Sequence, residues 1–180
     1  MGGFYFFLSS LPFLQFTVKP DISLSSFLDE AAYHTSVAEY EELKAMTADT
    51  FGGKKYTCQS AAKFIAFETT LRNRLAVLRA GRMKEDAEKY LKDTSTETTA
   101  ELAARAAFEE SNPLKAEEIL YRARFVFLEN MESGHFYDFD ALALFALKLK
   151  VVERFHRFDA EKGKELYQKI QKEIYENEDT

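Results

Sequence analysis

The sequence predicts an all-α fold, an irregular helical bundle around one central apolar helix at about 139–158, and three observations carry that prediction. The run Phe139-Asp140-Ala141-Leu142-Ala143-Leu144-Phe145-Ala146-Leu147 has almost no polar break. Two stripes extend it, Leu142/Phe145/Leu149/Val152 and Leu144/Leu147/Val151/Phe155/Phe158, so most of the circumference has to be buried. Helix-start signals recur along the chain, among them Ser36-Val37-Ala38-Glu39 and Asn112-Pro113. Elsewhere apolar residues return every three or four positions, most plainly at Phe64, Phe67, Leu71, Leu75 and Leu78.

Taken in order, residues 1–18 carry no side-chain charge. A signal peptide needs a basic start, and Pro12 and Gln15 interrupt an apolar run too short to cross a bilayer. The expectation is a buried segment docked on the bundle, with Phe4-Tyr5-Phe6-Phe7 either a strand or a helical turn. Ser23 or Ser26 caps a helix to about Tyr33 that turns Leu24, Phe27, Leu28 and Ala31 to one face. The Ser36/Glu39 capping box opens another to about Met46. Residues 47–57, with Gly52-Gly53, read as a loop.

The longest helix of the first half is expected over 60–83. Its charges are lopsided: Lys63, Arg72, Arg74, Arg79 and Arg82 stand against Glu68. Such a face is ordinarily solvated and balanced by acidic neighbours. The sharper reading makes Arg72, Arg74, Arg79 and Arg82 a docking surface for an acidic partner, because clustered charge of one sign sets orientation and on-rate.

Residues 84–92 read as a short polar helix and 93–99 as a flexible joint. Thr96 or Thr98 then caps a helix with a narrow seam of Leu102, Ala103, Ala106 and Ala107. Asn112-Pro113 starts a helix with Ile119, Leu120, Ala123, Phe127 and Met131 inward, and Ser133-Gly134 stops it. Asp138 or Asp140 caps the central helix, whose solvated strip is Lys150, Glu153, Arg154 and Arg157. A last amphipathic helix is expected over 160–175, with Leu166, Ile170 and Ile174 inward, before a frayed tail at 176–180.

At 180 residues the chain reads as a single domain over 1–180, and 46% hydrophobic with 14% aromatic residues argue for globular folding rather than disorder. Seventeen Phe with no Trp point to a core filled by stacked rings. A net charge of −6 disfavours nucleic-acid binding, which needs a basic face. The lone Cys58 excludes a disulfide framework; with no base beside it, it is not a strong nucleophile candidate. Gly52-Gly53-Lys54 lacks the spacing of a phosphate-binding loop, and no nucleophile elbow or zinc-binding cysteine pair is present, so no cofactor is expected. One cluster invites chemistry. Glu132, His135, Asp138 and Asp140 could hold a divalent metal or set up acid–base work, although Asp138 and Asp140 are also natural caps and His135 suits a helix C-terminus. His34 and His156 are isolated, and His156 reads as a hydrogen-bonded boundary residue.

Three blocks of the chain resemble, in order, an uncharacterised bacterial family, DUF2764. They are Phe4-Tyr5-Phe6-Phe7-Leu8-Ser9-Ser10-Leu11-Pro12, Phe67-Glu68-Thr69-Thr70-Leu71-Arg72-Asn73-Arg74-Leu75-Ala76, and the C-terminal half. The last includes Asn112-Pro113-Leu114-Lys115-Ala116-Glu117-Glu118-Ile119-Leu120, Gly134-His135-Phe136-Tyr137-Asp138-Phe139 and Ala146-Leu147-Lys148-Leu149-Lys150-Val151-Val152-Glu153-Arg154-Phe155. The resemblance implies a subunit of a bacterial V-type ATPase, distantly similar to the helical C subunit (d in eukaryotes) between membrane ring and central stalk. Such a subunit is non-catalytic, cytoplasmic and peripheral to the inner membrane through the complex, with stalk or rotor subunits as partners. A full C subunit is much longer and built from three repeated helical units, and no repeat is evident here. Two rivals stand beside this expectation: a generic helical adaptor, or homodimer, built on an exposed Phe-rich patch, and a metal-dependent hydrolase using the 132–140 cluster.

Overall fold

A computed structural model describes residues 3–48, 56–92 and 97–157. Within them the fold is all-α. The elements are α1 (Gly3–Ser10), α2 (Leu24–His34), α3 (Val37–Thr47), α4 (Gln59–Met83), α5 (Thr98–Glu109), α6 (Pro113–Asn130) and α7 (Phe139–Phe155). The expected helix over 160–175, the tail, Phe158, residues 93–96 of the expected joint and residues 49–55 of the expected loop lie outside the described residues. No described helix is long and apolar enough to cross a membrane.

Helix α7 is the axis of the bundle. It packs against α1, α2, α3, α4 and α6. Leu142, Ala143, Leu144, Ala146, Leu147, Leu149, Val151 and Val152 are all buried on it, as a helix apolar on most sides requires. Its solvated strip is narrower than expected. Lys150, placed there by the sequence pattern, is only 6% exposed and donates from Nζ to the Ala48 carbonyl, at the end of α3. Lys148 is 3% exposed; its Nζ donates to Glu132 Oε1 at 2.8 Å and lies 4.8 Å from the Phe125 ring centroid. A buried ammonium is tolerated where an acceptor and a ring face replace its water.

The first segment is helical, which decides between the two readings left open for it. Phe7 turns inward from α1 and stacks on Phe27 of α2 at 5.6 Å, and Phe27 meets Phe145 of α7 at 5.2 Å. Further along, Phe16 stacks on Phe155 at 4.4 Å and lies 5.7 Å from Phe125. Ring pairs of this kind add about 0.5–1.5 kcal/mol beyond area burial. His156 donates to the Phe16 carbonyl at 3.2 Å, the boundary role expected of it. Ser23 caps α2, Ser36 and Glu39 form the capping box of α3, and Glu153 Oε1 accepts the Leu24 N–H at 3.0 Å, joining the start of α2 to α7.

Helices α4, α5 and α6 form a layer on the other side. Helix α5 fits between its neighbours with Ala100, Ala104 and Ala107 inward. The small-residue seam is real, but its residues differ from the expected set: Leu102 is 64% exposed and Ala106 faces out. Close approach of two backbones selects the smallest side chains for the interface and leaves the larger Leu outside. The cap also differs. Thr98 is the first helical residue, and Glu97 precedes it without a side-chain cap bond.

Two further boundaries depart from expectation. The polar helix expected over 84–92 is a single 3-10 turn, Glu88–Tyr90. Lys84, at φ 58°, closes α4 in the left-handed conformation, and Asn73 pins the following segment by exchanging two hydrogen bonds with the Lys92 backbone. Helix α6 starts as expected, Asn112 Oδ1 accepting the Leu114 N–H behind Pro113. It ends before Ser133-Gly134: the N–H groups of Met131 and Glu132 reach back three residues to Leu128 and Glu129, tightening the last turn. Gly134, at φ 93°, serves the turn that follows. The inward face of α6 includes Phe125 and Leu128, because α6 is covered by both α5 and α7.

Candidate functional site

The α6–α7 turn is the natural place to look for chemistry, and its four ionisable residues divide: two pair with each other and two reach other elements. Asp138 is the N-cap of α7: Oδ1 accepts the Ala141 N–H at 2.8 Å, and Oδ2 holds His135 Nδ1 at 2.7 Å. Glu132 is drawn to Lys148. Asp140 faces a different element, accepting the Ser60 N–H at 2.8 Å in the first turn of α4, with Cys58 Sγ 3.5 Å away. Burial works against the ionised Asp140, but hydrogen bonds from Ser60 and Cys58 and the nearby His135 outweigh it and hold the carboxyl below its ordinary range. Among the described residues no three His, Cys, Asp or Glu side chains gather as metal ligands would. His135 and Asp138 are paired, while Glu132 and Asp140 make their main hydrogen bonds to other elements.

Cys58 is equally occupied. It is buried, its sulfur accepts the Ala61 N–H at 3.4 Å as the N-cap of α4, and its own N–H goes to Glu42 Oε1 at 2.8 Å. Burial is the main cause that pushes the thiol up to about 12, so it stays protonated at neutral pH and is a poor nucleophile.

The four arginines singled out on α4 divide along its length. Arg72 pairs with the buried Glu68 at 3.4 Å, and Arg124 of α6 grips the same carboxylate through both Nε and Nη2. These groups, with Tyr121, Lys150 and Arg154, line a small cleft of about 60 Å³ between α4, α6 and α7. Arg74 is half-buried, and its Nε is buried without a hydrogen-bond partner. Two turns on, Arg79 and Arg82 line a groove of about 240 Å³ with Leu75, Met83, Ala107, Phe108, Ala116, Glu117 and Leu120. The Arg82 guanidinium lies 4.3 Å from the Phe108 ring centroid. The sequence points to the two arginines but not to the apolar residues beside them, which α5 and α6 supply from further along the chain.

A second surface is aromatic. Tyr5 of α1 meets Tyr137 of the α6–α7 turn at 4.5 Å and Phe6 at 5.4 Å. Phe6 is 79% exposed, Phe136 is 72% exposed, and Tyr5 and Tyr137 are also open to solvent. The uncharged first segment therefore docks one face and presents the other, together with the turn that looked catalytic. Comparison of the chain with family models, curated proteins and solved structures gives no match.

Proposed function

We propose that this protein is a non-catalytic coupling subunit of a bacterial V-type ATPase, similar to its C/d subunit, which bridges stalk or rotor components by protein–protein contacts. The observation that carries the interaction role is the aromatic surface formed by Tyr5, Phe6, Phe136 and Tyr137. Large rings left in water beside one another favour association, because covering them removes apolar area at little cost in side-chain freedom. The assignment to a V-type ATPase is supported by the ordered sequence resemblance, two of whose blocks, Phe4–Pro12 and Gly134–Phe139, supply that surface. The mechanism is mechanical: a body stiffened by α7 and its rings holds partners in register while ATP is hydrolysed elsewhere. The location that follows is cytoplasmic and peripheral to the inner membrane.

Co-purification with V-type ATPase stalk and ring subunits at physiological salt tests the reading. The chain is expected to associate, and Phe6→Ser with Phe136→Ser is expected to weaken association at least tenfold without loss of helix content. Absence of association overturns it. The same rings also favour a second reading, a homodimeric or general helical adaptor. Light scattering across a concentration series separates the two, since self-association abolished by the same substitutions supports the homodimer.

A further inference from the structure

We infer that the groove at the C-terminal end of α4 is the seat of an acidic amphipathic helix contributed by a partner protein. Its lining is mainly apolar, and the small Ala107 and Ala116 beside Leu75, Phe108 and Leu120 leave room for another helix to approach. At about 240 Å³ it falls below the roughly 300–1,000 Å³ typical of small-molecule pockets and suits one or two projecting side chains. Met83, 66% exposed at the rim, is a side chain that adapts to varied apolar partners.

Charge identifies the occupant. Arg79 and Arg82 are three apart on one helix and line the same groove, so their guanidinium groups address one ligand. Neither meets a carboxylate among the described residues; Arg82 meets a ring. A guanidinium stacked on an aromatic face keeps its in-plane N–H groups for a carboxylate, the geometry in which arginine binds best. Among the described residues Glu117 is the one acidic side chain in the lining. The chain as a whole carries −6, so this cationic rim stands out from an acidic field and selects locally for carboxylates at helical spacing. Apolar contacts below and carboxylates at the rim define a helix-in-groove ligand.

This goes beyond the proposed function and does not depend on which complex the chain joins. A displayed library of helical peptides, randomised at the outward positions, is selected on the full chain. Recovered peptides are expected to carry a Leu- or Met-rich stripe flanked by Glu or Asp. Arg79→Glu with Arg82→Glu is expected to weaken them tenfold or more, and replacing the peptide carboxylates by Lys is expected to restore binding to that variant. Ala116→Trp, at a partly buried position of the lining, is an independent block, and circular dichroism checks that each variant is folded. Selection of basic or uncharged peptides overturns the inference. So does binding indifferent to both sets of substitutions, and so does a failure to recover any peptide. Concentration-dependent dimerisation abolished by the arginine substitutions also overturns it, by making a second copy the occupant. A failed co-purification with V-type ATPase subunits leaves these outcomes unaffected.

Discussion

The two ends of α4 carry charge to different purposes. Towards the N-terminal end three polar contacts come from elsewhere in the chain: Asp140 takes the Ser60 N–H, Glu42 takes the Cys58 N–H, and Arg124 closes on Glu68. At the C-terminal end Arg79 and Arg82 face a groove, and the nearest described partner of Arg82 is the Phe108 ring. One end is tied down by long-range pairing and the other is left with unused hydrogen-bonding capacity. Charge on a helix therefore says little about function until its partners are known. The end whose charges are satisfied is architecture, and the end whose charges are not is where a ligand gains most.

The largest test of the contrast is Glu68→Ala. Glu68 is buried and Arg124 nearly so, and removing one member of such a pair strands the other, costing about 3 kcal/mol. Urea denaturation should show the midpoint falling accordingly. A loss under about 1 kcal/mol would mean that this half of α4 is held by apolar packing alone, and the distinction between its ends would collapse.

Asp140→Ala should cost less, about 1–2 kcal/mol, since it removes a charge-assisted bond to an otherwise unsatisfied helix N–H. The pH dependence sharpens the point. Because the folded carboxyl titrates below its unfolded value, its contribution is present above the ordinary aspartate range and is lost as pH falls through the folded pKa. Stability of the wild type measured from pH 6 down to pH 2 should drop more steeply than that of Asp140→Ala. Parallel curves would show that the carboxylate is not coupled to folding.

Much of this architecture is legible in the chain because it is local. Ser23, Ser36, Asn112 and Asp138 all announce helices that begin where they stand, and the apolar run after Phe139 announces the axis. What is not legible depends on distant partners. Lys150 reads as solvated until the Ala48 carbonyl is brought to it, and Asp140 reads as a metal ligand or cap until α4 arrives. The inward face of α5 departs from the sequence pattern for a related reason: hydrophobicity favours Leu102, whereas the closeness of α4 and α6 favours Ala100 and Ala104. Within the candidate cluster at 132–140, His135 and Asp138 pair locally, whereas Glu132 and Asp140 are drawn to Lys148 and Ser60, partners that no local pattern marks. The Arg79/Arg82 groove was only half visible, since charge asymmetry marks the arginines and nothing local marks their floor.

The smallest effects belong to the open end. Arg82→Ala should lose about 0.5–1 kcal/mol, the worth of a cation over a ring. Arg79→Ala should stay within about 0.5 kcal/mol of wild type, as exposed substitutions away from any paired group do. The pair of values matters more than either alone. If Arg79 contributed as much as Glu68, its guanidinium would have to be satisfying something within the fold, and the groove would be a structural seam. If both arginines can be removed with stability nearly intact, the groove is not a structural seam, and loss of peptide binding in the same variants is the measurement that gives it a ligand.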